Sequence, residues 1–290
     1  MVYLLFFILI VSYFFILFKL YPRYHVNTIH AIIINYAVCV IIGVVYSFSE
    51  IDVSNNIQSD WFPISIIHGL LFITLFYITA YSAQKIGVSI TSVASKMSFI
   101  IPALVSLLII IGDYNEHSVF YYLKYLLAIA SVFLSSYTKN GSGQTKKHFL
   151  IPLVVFIGTG IIDTIVNVVN DFYLDTTADE KTYPIYAFLF ATLFGVIFLM
   201  YQSTKKKLVI SKASIVGGIA LGLPNYFSIL FLIKALSEFD NNGAFLFPIA
   251  NIGTIVISTL FSVIFFREKL SKINLIGVLL GIVALIFFLL

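Results

Sequence analysis

Runs of mainly apolar residues dominate this 290-residue chain, and short charged or turn-forming clusters separate them. Each run is close to the ~20 residues that a helix needs to cross a hydrocarbon core of ~30 Å. Backbone polar groups must be satisfied internally in lipid, and the runs lack the alternating pattern of a membrane barrel, so helices are indicated. We therefore predict an all-α integral membrane protein with ten transmembrane helices, over residues 2–18, 29–47, 62–83, 88–111, 119–137, 149–171, 183–202, 213–235, 243–266 and 272–290.

Composition excludes most soluble functions. Charged residues make up 10% of the chain and hydrophobic residues 60%, whereas a soluble domain carries about 25% charged residues. The loops are too short for a catalytic or nucleotide-binding domain, and no Walker A sequence is present. The single cysteine, Cys39, and five scattered histidines show no metal-ligand spacing. We expect no enzymatic activity, cofactor, metal or nucleic-acid partner.

The loops alternate in charge along the chain. Those that follow the odd-numbered spans hold 13 of the 17 basic residues, and the other four hold 11 of the 13 acidic residues. Short cytoplasmic loops are rich in Lys and Arg, so the basic set is predicted to be cytoplasmic. With ten spans both termini then lie outside, and we expect a bacterial inner (plasma) membrane location.

Two halves of the chain share an order of features. Residues 81–136 and 235–289 each contain a short loop, a long apolar segment, a turn with acidic residues and a final apolar segment. Five helices per copy is an odd number, so the two copies would have opposite membrane orientations. We predict two inverted five-helix repeats, 1–138 and 149–290, an organisation that places substrate near the midplane between repeats in many secondary transporters.

The second copy carries the most distinctive motif. Its turn reads Phe-Phe-Arg-Glu-Lys-Leu from residue 265, and Gly277 and Gly281 follow at Gly-x-x-x-Gly spacing. This ending resembles the drug/metabolite transporter superfamily, specifically its ten-helix EamA-like branch, although Phe266-Arg267 replaces the usual Leu-Gly before Glu268. The first copy matches through Pro102 and a turn that carries Asp113 and Glu116. The resemblance implies a metabolite carrier and structural roles for Glu116 and Glu268, capping or anchoring the last helix of each copy.

Two ionisable residues lie within apolar spans, where a charge costs on the order of 2.5–3.5 kcal/mol. Asp163 lies near the middle of the sixth span, and Lys96 lies roughly 12 Å along the fourth. Asp163, Asn167, Asn170 and Asp171 share one helical face. Asp163 and Lys96 either bind substrate or a coupling ion, or form a structural salt bridge; a polar helix contact also explains Asp163, and snorkelling to the interface also explains Lys96.

The resemblance also implies that helices one, three, four, six, eight and nine surround a central cavity. Polar residues on these helices are further candidates, namely Tyr13, Tyr77, Asn225 and Asn251. Pro224 disrupts the helix beside Asn225 and frees a backbone carbonyl. For each candidate the alternative is an interhelical hydrogen bond, worth ~0.6 kcal/mol on average.

The sequence therefore predicts a secondary transporter that works by alternating access in a lipid bilayer, as a monomer or homodimer. The resemblance favours a small polar, amino-acid-like substrate and export, with a coupling proton or cation. One alternative is a carrier of nucleotide- or lipid-linked sugars. Another is a membrane sensor or assembly protein without transport, in which Asp163 and Lys96 would form a closed salt bridge.

The predicted orientation can be tested with a reporter that is active only in the cytoplasm. Fused to the C-terminus, it should stay silent, because the last of ten spans ends outside. The same reporter fused after residue 204, in a predicted cytoplasmic loop, is the positive control. A strong signal from the C-terminal fusion would reverse the orientation.

Overall fold

The computed structural model describes residues 1–109, 119–137, 145–174, 176–204, 209–239 and 243–289. Within these ranges the ordered elements are helices and no strand occurs, which confirms the all-α class. The helices are α1 (Val2–Leu20), α2 (Thr28–Tyr46), α3 (Val53–Gln58), α4 (Phe62–Lys85), α5 (Val88–Met97), α6 (Ile100–Ile109), α7 (Val119–Ser135), α8 (Thr145–Phe172), α9 (Thr177–Ser203), α10 (Lys212–Glu238), α11 (Gly243–Phe265) and α12 (Lys272–Leu289).

Eight helical segments in the described part of the chain are long and apolar enough to cross a membrane. They cover Val2–Tyr24, Thr28–Tyr46, Phe62–Lys85, Leu150–Asn170, Thr177–Ser203, Lys212–Leu232, Leu246–Phe265 and Lys272–Leu289. Two shorter apolar helical segments, Val88–Pro102 and Leu123–Ser135, lie within the remaining two predicted spans. The chain is therefore a multi-pass helical membrane protein.

The predicted span 88–111 is not one continuous helix. The helix α5 ends at Met97 and α6 begins at Ile100. Pro102 explains the break, because it has no N–H to donate to the carbonyl of Ser98 and its ring crowds that carbonyl. The N–H of Ile101 bonds the Ser98 carbonyl instead, at 2.9 Å. The prediction of a single helix is therefore wrong between Met97 and Ile100. The polar residues Lys96 and Ser98 lie at this interruption.

The described chain divides into two compact units. Unit 1 comprises Met1–Lys19, Ile78–Asp163 and Ser228–Leu290, and unit 2 comprises Leu20–Tyr77 and Thr164–Phe227. Each unit contains segments from both predicted repeats, so each depends on contacts between residues far apart in sequence. The repeat boundaries themselves stay a prediction.

In unit 1, α12 packs closely against α7. A Cβ on Gly277 would clash with the backbone of Ser135, whereas one on Gly281 would lie 3.2 Å from the Ser131 hydroxyl. Buried Asn274 donates its Nδ2 protons to the carbonyls of Ser135 at 2.7 Å and Tyr137 at 2.8 Å. The carbonyl of Ser135, the last residue of α7, is among those that a helix C-terminus leaves without an internal partner. The absence of a side chain at Gly277 therefore allows α12 to approach the backbone of α7 closely.

The carboxylate of Glu268 caps the N-terminus of α5. Its Oε1 accepts the Val88 N–H at 2.8 Å, its Oε2 accepts the Ser89 N–H at 3.4 Å, and Lys19 Nζ lies 3.4 Å from Oε1. Gly87 precedes the helix with a φ of 135°, a conformation that glycine adopts readily. A negative charge at a helix N-terminus meets free N–H groups and the positive end of the dipole. Glu268 is structural, but the helix it caps is α5 and not α12.

In unit 2, glycines bring α10 close to α2. A Cβ on Gly218 would lie 2.8 Å from the Ala31 carbonyl oxygen, and one on Gly222 would lie 2.8 Å from that of Asn35. Small residues let helix backbones approach at this distance in membranes. Gly218 and Gly222, at Gly-x-x-x-Gly spacing on α10, therefore form a packing motif.

The α7–α12 contact predicts opposite outcomes for two matched substitutions. Gly277→Ala should lower the melting temperature, since overpacking against backbone costs about 1–3 kcal/mol. Gly281→Ala, one turn later, should change it little, because its nearest neighbour is a side-chain hydroxyl. Melting of both variants in detergent, followed by size-exclusion chromatography, measures the difference. Equal stability would show that α7 moves aside easily.

Candidate functional site

Lys96, Ser98 and Asp163 meet where α5 gives way to α6. The Ser98 hydroxyl lies 3.4 Å from Asp163 Oδ2 and only 2.6 Å from the Ser95 carbonyl oxygen. A hydroxyl has one proton to donate, and the shorter contact takes it. Within the described part of the chain, the Asp163 carboxylate is therefore left without a strong donor at the break.

Lys96 and Asp163 interact electrostatically but do not form an ion pair. Among the residues that the structure describes, the ion pairs are Met1 amine–Glu238, Lys19–Glu268 and Lys181–Glu50. Both Lys96 and Asp163 are half-buried within otherwise apolar helices. Charges in such positions need a partner or water, since leaving one unpaired costs on the order of several kcal/mol. The two side chains therefore influence each other electrostatically without forming an ion pair among the described residues.

The predicted polar face lies on the single helix α8. Asp163 is half-buried, and Asn167 and Asn170 are exposed. The side chain of Asp171 lies outside the described residues. Exposed amides are poorly accommodated by hydrocarbon, so this face of α8 is suited to a hydrated environment.

Asn225 pairs with a residue that sequence reasoning missed. Its Nδ2 donates to Asn35 Oδ1 on α2 at 3.1 Å, and Asn35 is fully buried. The Nδ2 of Asn35 has no hydrogen-bond partner within the described residues. This contact favours the interhelical interpretation of Asn225. Asn35 could have been identified from the sequence, because it places a side-chain amide in the middle of the apolar run 29–47.

The remaining candidates stay predictions. Tyr13 is half-buried on α1, Asn251 is buried on α11, and Tyr77 is exposed on α4. Of the eight predicted site residues, the structure brings together Lys96 and Asp163. Ser98 joins them, and the signal for it was Pro102, four residues later, which predicts a disturbed Ser98 carbonyl.

A second polar centre lies in unit 2. His68 Nδ1 is 2.7 Å from the Tyr183 hydroxyl, and His68 is 1% exposed. Sequence reasoning grouped His68 with the scattered histidines that lack metal-ligand spacing. Its position inside the apolar span 62–83 was the available signal.

Two loop carboxylates have a lowered pKa. A hydrogen bond from Lys181, followed by one from Ser49, lowers the pKa of Glu50. The backbone N–H of Asn55, then the Ser54 hydroxyl, lowers the pKa of Asp52, which caps α3. A depressed pKa keeps a carboxylate ionised at neutral pH, and its stabilising contribution is lost as pH falls through the folded-state pKa. This loop region therefore stays negatively charged near neutrality.

Comparisons with known proteins support the fold but give no information on the function. No protein-family model matches the chain. An uncharacterized protein of Haemophilus influenzae is 28% identical over 230 residues, which cover 79% of this chain and 75% of the relative. A solved crystal structure aligns with a TM-score of 0.53 at 13% identity, over 97% of this chain and 96% of that one. The likeness shows a shared fold across nearly the whole chain.

Hydration of the break can be tested with single cysteines. Cys39, the one native cysteine, is fully buried, so the wild type gives a low background with charged thiol reagents. Lys96→Cys should react rapidly, because a thiol must reach water to ionise and react. Val93→Cys, one turn earlier on α5 and fully buried, is the matched control. Equal, slow labelling at both positions would mean that the break is dry.

Proposed function

We propose that this chain is a secondary carrier that moves a small polar metabolite across the membrane by alternating access. In this proposal ten spans form two inverted five-helix repeats of the EamA-like kind, within the drug/metabolite transporter superfamily. The observation that carries it is the discontinuity between α5 and α6, with Lys96 beside it and Asp163 facing it without a salt bridge between them. Secondary transporters build substrate sites at discontinuous membrane helices in this way.

The charges suit a zwitterionic substrate. Lys96 can neutralise a carboxylate, and Asp163 can accept hydrogen bonds from an ammonium group, each as a charge-assisted contact. One amino-acid-like molecule would thus satisfy both residues without a direct salt bridge between them. A proton or small cation would be the coupling ion. Export is the direction that the family resemblance favours.

The arrangement disfavours the two alternatives. A sensor or assembly protein would gain most from a closed Lys96–Asp163 salt bridge, and the described residues contain none. A nucleotide-linked sugar carries two or more phosphate charges, and the Asp163 carboxylate would repel them if they bound beside Lys96. We assign the chain no catalytic role.

The proposed topology follows the loop charges. Basic loops face the cytoplasm of a bacterial cell, both termini lie outside, and substrate enters from the cytoplasmic side. The cap on α5 lies on the basic side in this arrangement, since Lys19 and Glu268 flank predicted cytoplasmic loops.

Comparison of extracellular metabolites tests the proposal. Cells that express the wild type should accumulate a compound outside, and Asp163→Asn should reduce that accumulation to the empty-vector level, because the substrate ammonium loses its counter-charge. Asp52→Asn is the matched control, since asparagine caps a helix as well as aspartate does.

All three proteins must reach the membrane at similar levels. Equal accumulation with the wild type and Asp163→Asn would keep transport and demote Asp163 to structure. A wild type that matches the vector for every compound, in export and in uptake, would contradict the carrier proposal.

A further inference from the structure

In the buried pair His68–Tyr183, only one of the two imidazole nitrogens of His68 contacts the tyrosine hydroxyl. The imidazole Nδ1 lies 2.7 Å from the Tyr183 hydroxyl, and the ring packs on Phe72 with centroids 4.0 Å apart. The other ring nitrogen, Nε2, is buried and has no hydrogen-bond partner within the described residues. His68 lies about 9 Å along α4 from Phe62, by helix rise. A buried polar atom without a partner is rare in folded proteins and calls for an explanation.

Protonation changes what this pair needs. A neutral imidazole has one donor and one acceptor nitrogen, whereas an imidazolium has two donors. On gaining a proton, His68 would donate from Nδ1–H to the Tyr183 oxygen, and Nε2–H would need a new acceptor. The neutral form fits the apolar surroundings, and the charged form requires water or a carboxylate. The site therefore has two states that differ in hydration.

The ring of Trp61 both lines a cavity in unit 2 and contacts Tyr183 of the pair. A cavity of about 320 Å³ is lined by Asp60, Trp61, Tyr173 and Asp179, among others. Trp61 donates its Nε1 proton to Asp179 Oδ1 at 3.0 Å, and its ring meets the Tyr183 ring edge-on at 5.8 Å. Asp179 and Tyr183 are four residues apart on α9, so they share a face.

The surroundings contain no competing cation among the contacts described. Lys181, on the same helix, is paired with Glu50 at 2.8 Å. The titratable groups that surround His68 are the phenol of Tyr183 on α9, the phenol of Tyr36 on α2 and, beyond Trp61, the carboxylate of Asp179. Tyr36 stacks on Phe72 and donates its proton to the Phe72 carbonyl at 3.1 Å.

We propose that His68 and Tyr183 form a proton-binding site, loaded from the cavity past Asp179, that couples proton movement to the carrier. The inference rests on the proposed transport function and names its coupling ion. A proton from water adds to the free ring nitrogen and leaves hydroxide in solution. The resulting imidazolium draws water towards Nε2. Deprotonation restores the neutral, dry pair, so the two states can be tied to two conformations of unit 2.

Proton binding can be measured without any substrate. In full-length protein labelled with ¹⁵N-histidine, the His68 signal is the one that His68→Asn removes, and His25→Asn, at an exposed loop position, is the matched control. We expect this signal to change from neutral to charged as pH falls from about 8 to 4, because the buried ring must become hydrated before it holds a charge. Tyr183→Phe, which keeps the ring, should move that transition. A His68 that stays neutral throughout would overturn the proposal.

Coupling is tested in proteoliposomes with the compound that the export comparison identifies. A gradient of one pH unit should drive about tenfold accumulation in the wild type for one proton per molecule. His68→Asn should abolish this accumulation and retain exchange of labelled for unlabelled compound. Exchange that ignores the gradient in the wild type would overturn coupling and leave the carrier intact. If no compound moves, the carrier function fails, and the histidine titration still decides the proton site.

Discussion

Every polar group inside an apolar helix must find a partner, and this requirement organises the structure. Glu268, 180 residues away in the sequence, accepts hydrogen bonds from free N–H groups at the start of α5. Asn274 donates a hydrogen bond to the carbonyl of Ser135, the last residue of α7. Both contacts join segments that lie in different halves of the sequence, so they hold unit 1 together. Without water to substitute, a helix end in lipid has few other choices.

The places where the requirement is not met are as informative. In the described structure Asp163 lacks a strong donor, and the Nε2 of His68 has no hydrogen-bond partner. Such groups weaken the fold, because an unsatisfied buried polar atom costs about 1–3 kcal/mol. Under the proposed function, a ligand or a proton supplies the missing partner at each of these two centres. The two centres lie in different units.

Sequence alone predicted the class of the fold and the intramembrane charges. Apolar run length fixes helices that cross a bilayer, and Asp163 and Lys96 stand out because ionisable residues are rare there. The break at Ser98 was missed because neighbouring groups often re-satisfy a proline in a membrane helix, so Pro102 does not by itself end one. The partner of Glu268 was missed because capping rules describe local sequence, and α5 is remote from it.

The glycine contacts limit where such a protein can bend. Gly277 holds α12 at backbone distance from α7, and Gly222 does the same for α10 and α2. Close-packed interfaces of this kind do not deform gradually. Movement must therefore be absorbed where the helical hydrogen-bond ladder is already interrupted, and the interval between Met97 and Ile100 is such a place. Because Ser98 lies in that interval and Lys96 directly before it, binding of a ligand there would act directly on the segment best able to move.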